Sequence, residues 1–311
     1  MADRRFAAYA WCVLGYNVFV VLWGAFVRAT GSGAGCGNHW PLCNGTVVPR
    51  AAAVQTIIEF THRATSGLAL ISVVVLLIWA WRAFRRGHPA RTGAFLAVVF
   101  MLTEALLGAA LVLLEHVAQN KSAGRGISIS LHLVNTLTLL GVLALTAWWA
   151  GGRAAPDLRE WRGLAWLLAG SMAGFMLLGI SGAIAALGDT LFPASSLAAG
   201  IAQDTSPGAH IFVRLRILHP AIAIAIALFL TFAVWRAVKL RPEPRRQWAA
   251  LAITMLLVVQ VALGGINIGL LAPIWLQIVH LFVADVLWIS LVLYSASAIG
   301  APSIVQDPAF A

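Results

Sequence analysis

The chain has 311 residues, of which 61% are hydrophobic and only 10% are charged, and its mean hydropathy is +0.89. Soluble globular domains carry roughly 25% charged residues, so this composition excludes a soluble fold and indicates an integral membrane protein. The net charge of +10 does not indicate nucleic-acid binding, because the basic residues lie in short loops rather than in a patch on a soluble domain.

Apolar stretches long enough to cross a bilayer recur along the whole chain. A spanning helix needs about 20 apolar residues. The predicted spans cover residues 7–27, 53–81, 92–114, 128–150, 163–187, 211–236, 249–270 and 275–298. The first stretch is too long for the core of a signal peptide and lacks a clean cleavage site between small residues, so we interpret it as a span. We therefore predict an all-α membrane protein with eight transmembrane helices.

Basic residues are distributed unequally between the two faces of this arrangement. Eight spans put both termini on one side, and 14 of the 21 lysines and arginines fall on that side. The positive-inside rule then places both termini in the cytoplasm. We expect a multi-pass protein of the cell membrane, with the loops after spans one, three, five and seven outside.

The two halves of the chain resemble each other. The segment 59–84 is similar to the segment 216–238, and two further landmarks recur in the same order. The aligned pairs are His62 with His219 at an offset of 157, Gly108 with Gly264 at 156, and His132 with His280 at 148. The repeat predicts two pseudo-symmetric, parallel four-helix bundles, an N-terminal one over 1–152 and a C-terminal one over 153–311.

Four histidines are predicted to lie at a similar depth, toward the outer face, in spans two, four, six and eight: His62, His132, His219 and His280. Alternate helices of an up-down bundle are diagonal across its core, so each half can direct two imidazoles at one central point. Two imidazoles are the axial ligands of a bis-histidine haem site. A single buried histidine is as readily explained by a hydrogen bond between helices, but the set of four favours two haem sites.

The repeat differs beside the first histidine. Glu59 precedes His62 by three residues, whereas Arg216 occupies the matching position in the second half. Residues at i and i+3 share a helix face, so Glu59 is predicted to project into the same pocket as His62 and to transfer protons there. The alternative is a structural ion pair with Arg63 or Arg28.

Two further sets of polar residues lie in or beside the spans. Glu104 in span three is a second buried carboxylate, matched by Gln260 in the second half, and we interpret it as part of a polar network or a proton path. Four arginines cluster at the outer helix ends, where guanidinium groups either bind haem propionates or extend to lipid headgroups: Arg28, Arg63, Arg214 and Arg216.

Two cysteines lie in the Gly-rich loop after span one. Cys36 and Cys43 are separated by six residues, so closure into a disulfide is geometrically easy, and the outer compartment permits it. Two free thiols, or a redox-active pair that reacts with a thiol–disulfide partner, are the alternatives.

The sequence resembles the haem A synthase family, whose members convert haem O to haem A for cytochrome oxidase. The resemblance rests on TGSGAGCGNHWPLCNG (30–45), EFTHR (59–63), LHLVNT (131–136), LHP (218–220) and VHL (279–281), and it covers the full length. It implies an oxidoreductase of haem A and porphyrin biosynthesis, which oxidises a ring methyl of haem O to a formyl group through an alcohol.

The resemblance also assigns roles by position. His219 and His280 are then the axial ligands of a resident haem b, with iron as the bound metal. His62 and His132 flank the iron of the substrate haem O, and Glu59 is needed for the chemistry. A second cysteine pair found in some relatives is absent from the loop after span five. The expected partners are haem O, a membrane haem O synthase, an electron donor and the lipid bilayer, while a homo-oligomer is left open.

Three other classes of function match parts of the pattern. A di-haem b electron-transfer cytochrome without catalytic activity explains the four histidines but not the contrast between Glu59 and Arg216. A di-iron carboxylate site needs Glu-x-x-His twice plus further carboxylates, and only Glu59 and Glu104 are available. A transporter with inverted repeats does not match, because these repeats are parallel and no matching pair of spans is predicted to be broken at mid-membrane.

Overall fold

The part of the chain that the computed structural model describes, residues 3–50, 53–153 and 161–300, folds into ten α-helices without a β-sheet. The helices are α1 (Arg4–Ala29), α2 (Val54–Ala83), α3 (Pro89–Leu113), α4 (Ala123–Ala150), α5 (Arg162–Leu191), α6 (Leu197–Thr205), α7 (Ile211–Arg216), α8 (His219–Leu240), α9 (Pro244–Gly269) and α10 (Ile274–Ile299). A short 3-10 turn follows α1 at Ser32–Ala34.

Eight helical segments within the described residues are long and apolar enough to cross a membrane. This confirms the predicted all-α fold and the number of spans. The observed ends differ from the predicted ones by at most five residues, as at the start of α4, which begins at Ala123 instead of residue 128. The hydroxyl of Ser122 accepts a hydrogen bond from the Arg125 N–H and so caps this earlier start.

Span six is interrupted between α7 and α8, whereas the sequence analysis predicted a continuous helix over 211–236. Pro220 explains the interruption, because proline lacks an N–H and its ring clashes with the carbonyl four residues earlier. Proline is well tolerated in a first helical turn, so a new helix begins at His219. The preceding loop also contains α6, which the sequence analysis did not predict.

The helices of each half pack in a ring. In the first half α1, α2, α3 and α4 contact one another in this order, and α4 returns to α1. In the second half α5, α8, α9 and α10 do the same. The histidine-bearing helices, α2 with α4 and α8 with α10, therefore lie opposite each other. The pseudo-symmetry of the two bundles and the division at residue 152 stay predictions.

The two rings share one hydrophobic core, because α1 and α4 pack against α5 and α10. Trp288 of α10 is 2% exposed, and its Nε1 donates a hydrogen bond of 2.6 Å to the Leu137 carbonyl of α4. Phe175 of α5 packs against the same indole, with ring centroids 5.3 Å apart. Trp288 thus connects three helices across the interface between the halves.

Replacing Trp288 with Phe should lower the thermal stability of the protein. The change removes an interhelical hydrogen bond worth about 1 kcal/mol and leaves space beside Phe175. We expect a lower melting temperature in detergent, followed by circular dichroism. Trp166→Phe is the control, because that indole is 74% exposed. Equal melting temperatures for the two variants would contradict this account of the interface.

Candidate haem sites

The four histidines lie near the end of the bundles that carries the Cys36–Cys43 loop, which we call the disulfide face. His62 and His132 lie in the third turns of α2 and α4, His219 begins α8, and His280 lies in the second turn of α10. His62 and His132 lie on opposite helices of the first ring, and His219 and His280 lie on opposite helices of the second.

Each imidazole contacts a glycine on a neighbouring helix. The pairs are Gly24 with His62, Gly108 with His132, Gly182 with His219, and Gly264 with His280. A Cβ atom added to Gly24 would lie 2.9 Å from Cε1 of His62. Cβ atoms in proteins essentially never approach another heavy atom so closely, so a larger residue at this position would displace the imidazole ring. Gly24 and Gly182 were not among the predicted site residues, although their offset of 158 residues is close to that of the histidines.

The imidazole nitrogens fit the ligand set of haem iron. Nδ1 of His62 and Nδ1 of His280 are buried without a hydrogen-bond partner among the described residues. Nδ1 of His219 lies 2.9 Å from the Ser181 hydroxyl, and Nε2 of His280 lies 3.2 Å from the Gln260 amide nitrogen. Protein groups therefore satisfy these imidazoles only in part, and imidazole is a common ligand of haem iron.

Glu104 of α3 holds His132 in place. Nδ1 of His132 lies 2.8 Å from one carboxylate oxygen, Oε1. The Thr136 hydroxyl donates to the same oxygen at 2.5 Å, and the Asn135 amide donates to Oε2 at 2.6 Å. Glu104 therefore belongs to a polar network, which is one of the two interpretations made from the sequence.

Glu59 is 3% exposed, and both of its carboxylate oxygens accept hydrogen bonds. Oε2 accepts from the Cys36 N–H at 2.8 Å, and Oε1 accepts from Nη2 of Arg63 at 2.5 Å and from its Nε at 3.2 Å. The ion pair with Arg63, predicted as the structural alternative, is therefore formed. The catalytic role of Glu59 stays a prediction.

Cys36 and Cys43 form a disulfide, which confirms that pairing over two free thiols. The loop that it closes is fixed to α2, because Nη1 of Arg63 donates to the carbonyls of His39 and Leu42, each at 2.6 Å. Arg63 therefore connects Glu59 to the disulfide loop. The sequence analysis had no local spacing from which to predict these backbone contacts.

Arg28 joins the two rings of helices at the disulfide face. Its Nη1 donates to the Ala186 carbonyl at 2.9 Å and to the Thr190 hydroxyl at 2.8 Å, both on α5. Its Nη2 donates to the Gln277 side chain of α10 at 2.9 Å. In this structure Arg28 is an interhelical connector, and its predicted contact with a haem propionate stays a prediction.

Arg216 and Arg214 are also engaged with protein groups. Arg216 forms ion pairs with Asp189 at 3.0 Å and with Asp204 at 2.7 Å. Arg214 donates to a carbonyl of the preceding loop. The extra helix α6 supplies Asp204, so the sequence analysis missed this pairing together with the helix. Propionate binding by these two arginines, and by Arg63, stays a prediction.

No group of three or more His, Cys, Asp or Glu side chains is placed to hold a metal ion in residues 3–50, 53–153 and 161–300. A di-iron carboxylate site would need such a group. A bis-histidine haem site takes only two ligands from the protein, because the porphyrin supplies the rest.

Comparison with known proteins identifies the family. A sequence model of the COX15-CtaA family, described as cytochrome oxidase assembly protein, matches residues 7–292. The chain belongs to this family. The match, together with the relatives described next, confirms the predicted membership of the haem A synthase family.

The relatives carry two different names. A Thermus thermophilus protein named "Protoheme IX farnesyltransferase" is 50% identical over 298 residues, which are 96% of this chain and 49% of that protein. A "Heme A synthase" of Alkalihalophilus pseudofirmus is 39% identical over 130 residues, 42% of this chain and 41% of the relative. A "Heme A synthase" of Bacillus cereus is 48% identical over 95 residues, which are 30% of this chain and 30% of the relative. The chain spans about half the length of the Thermus protein, and the aligned segments cover less than half of the two "Heme A synthase" relatives.

Gly24→Ala should weaken haem binding in the N-terminal bundle, because the new Cβ would displace the His62 imidazole. We expect the affinity for iron protoporphyrin IX at that site to fall roughly 10-fold or more, the scale at which a disturbed ligand environment acts. Haem content per protein, measured as the pyridine haemochrome, checks this. Gly15→Ala on the same helix meets nothing within 4 Å and serves as the control. Equal haem contents in both variants would count against the site.

Proposed function

We propose that the protein is a haem A synthase, a membrane oxidoreductase that oxidises a ring methyl of haem O to a formyl group. The observation that carries this proposal is the placement of two histidine pairs in two rings of helices, with every imidazole against a glycine. The family membership and the relatives named "Heme A synthase" support the same conclusion.

In this proposal the two bundles hold different haems. His219 and His280 bind a resident haem b in the C-terminal bundle, and this group supplies one-electron transfer when bound. His62 and His132 bind the substrate haem O in the N-terminal bundle. The glycines beside the imidazoles leave the rings free to face the bound groups.

Glu59 is the proposed proton-transferring residue. It lies three residues before His62 on α2 and is fixed by hydrogen bonds from Arg63 and from the Cys36 backbone. A general acid or base must be held within reach of the group that exchanges the proton. These contacts restrict the Glu59 carboxylate to the side of the site next to the disulfide loop.

The name of the Thermus relative describes a different reaction, the farnesylation of protohaem IX. Only 49% of that protein aligns with this chain. The Alkalihalophilus "Heme A synthase" has about the same length as this chain, because the same 130 residues are 42% of one and 41% of the other. We assign farnesyl transfer to the part of the Thermus protein that does not align. A farnesylated protohaem is haem O, so a membrane haem O synthase is the proposed partner.

The orientation in the membrane is also a proposal. The excess of basic residues on the side of the termini supports a cytoplasmic location for both ends. The disulfide face then lies outside the cell membrane, in a compartment where disulfides persist.

His219→Ala and His280→Ala should each remove most of the haem b from the purified protein, because each variant lacks one axial ligand. The pyridine haemochrome and the reduced absorption spectrum measure this loss. His39→Ala, an exposed histidine of the disulfide loop, should keep the haem b content. Full haem b content with an unchanged spectrum in both ligand variants would show that the assignment is wrong.

Glu59→Gln should reduce haem A production by roughly 100-fold or more, the usual scale for a general acid or base. Glutamine keeps an acceptor for the Cys36 N–H but cannot exchange a proton. Each variant is expressed with a source of haem O, and haems O and A are quantified by chromatography of acid extracts. Glu115→Gln, an exposed carboxylate outside the site, is the control.

Three outcomes of this experiment separate the alternatives. Accumulation of haem O with intact haem b supports catalysis by Glu59. Loss of haem b together with haem A indicates that Glu59 has a structural role for the whole protein and contradicts a purely catalytic one. Normal haem A production contradicts the catalytic role and favours an electron-transfer cytochrome.

A further inference from the structure

We propose that Glu104 is a positioning residue, which orients His132 as an axial ligand and makes the N-terminal haem site electronically different from the C-terminal one. The inference rests on the proposed function, because it takes the N-terminal bundle as the site of the substrate haem. Neither the repeat nor the resemblance gave Glu104 such a role.

The contacts of Glu104 select one orientation of the His132 ring. Nδ1 of His132 lies 2.8 Å from Oε1 of Glu104, so the imidazole donates from this nitrogen to the carboxylate. The opposite nitrogen, Nε2, then carries a free lone pair and faces Gly108, whose Cβ would lie 3.6 Å away. Metal-binding histidines almost always donate their second N–H in this way, which fixes the tautomer and the ring orientation.

One helix supplies both halves of this arrangement. Glu104 and Gly108 are four residues apart on α3, so they lie on the same helix face. The carboxylate holds one edge of the imidazole, and the glycine leaves space at the other edge. A rotation of the ring would break the hydrogen bond to Glu104, so the ligand nitrogen is already oriented before haem binds.

The carboxylate itself cannot turn away, because α4 donates to both of its oxygens. Thr136 donates to Oε1 at 2.5 Å and Asn135 donates to Oε2 at 2.6 Å. The Asn135 amide is anchored in turn by a bond of 2.9 Å to the Phe100 carbonyl. Two donors besides His132 itself therefore hold Glu104 in the direction of that ring.

The C-terminal bundle has the same spacing of a polar residue and a glycine beside its histidine, but it lacks the hydrogen-bond network. Gln260 and Gly264 repeat the spacing of Glu104 and Gly108 on α9, but an uncharged amide replaces the carboxylate. In the aligned segment of α10, Val283 and Ala284 replace the two donor side chains. The Gln260 amide also lies at Nε2 of His280 rather than at Nδ1.

This difference has an electronic consequence. A carboxylate that accepts a hydrogen bond from Nδ1, the imidazole nitrogen that does not bind the metal, raises the basicity of the ligating nitrogen. A nearby negative charge also stabilises ferric iron more than ferrous iron. Glu104 should therefore lower the reduction potential of a haem in the N-terminal site, whereas Gln260 adds no charge to the other site.

The test uses the full-length protein with His280→Ala, so that the N-terminal site is the one measured. Purified protein is titrated with iron protoporphyrin IX, and the midpoint potential of the bound haem is then determined. Glu104→Gln should weaken binding by roughly 10- to 100-fold and raise the midpoint potential. The same change in a His132→Ala background should have almost no effect, because a positioning residue acts through the ligand that it holds.

Each outcome is decisive for one claim. If adding His132→Ala to the His280→Ala parent leaves haem binding as tight as in that parent, the proposed N-terminal haem site is wrong. If His132→Ala weakens binding but Glu104→Gln changes neither affinity nor potential, the site stands and the positioning role is wrong. If Glu104→Gln weakens binding equally with and without His132, Glu104 is only structural.

A reciprocal variant covers the case in which Glu104→Gln does not fold. Gln260→Glu combined with Val283→Asn and Ala284→Thr places a carboxylate and two donor side chains at the matching positions of the C-terminal bundle, in a protein with His132→Ala. The midpoint potential of the haem in that bundle should fall relative to the same protein without the three changes. An unchanged or higher potential would overturn the inference.

Discussion

The two carboxylates beside the N-terminal histidine pair, Glu59 and Glu104, are each held by donors from the helices. An unpaired ion in a medium of low dielectric constant is costly, and the observed pairs meet this requirement in different ways. Glu59 is neutralised by Arg63 on the next turn of α2. Glu104 takes its donors from α4, across a helix interface. The positions of the disulfide loop and of the His132 ring follow from these two pairings.

Contact between histidine and glycine is the feature that the two halves have in common. It occurs four times, on helix pairs with the same order in each ring. What differs between the halves is the polar group beside each imidazole: a carboxylate for His132, an amide for His280 and a hydroxyl for His219. A repeated scaffold with different polar neighbours can hold the same kind of group in two chemical environments.

The spans and the histidine depths were predictable because both depend on local sequence. Runs of about 20 apolar residues determine the helices, and the disulfide needs only two cysteines in a short loop. Pro220 is the sequence signal for the break between α7 and α8, although the prediction placed one continuous helix over 211–236. The hydrogen-bond partner of Arg28 was not predictable from local sequence, because Gln277 lies 249 residues further along the chain. The partner of Arg216 on α6 was missed because the helix itself, in a loop without a long apolar run, was missed.

The contacts of Arg28 also limit how the bundles move. This side chain binds main-chain and side-chain oxygens of α5 and the side chain of α10, while Trp288 ties α10 to α4 deeper in the interface. Two attachments at different depths oppose sliding and hinging of one ring against the other. They help to fix the distance between the two histidine pairs. Electron tunnelling depends steeply on distance, so in the proposed function these contacts would set the barrier that an electron crosses between the bundles.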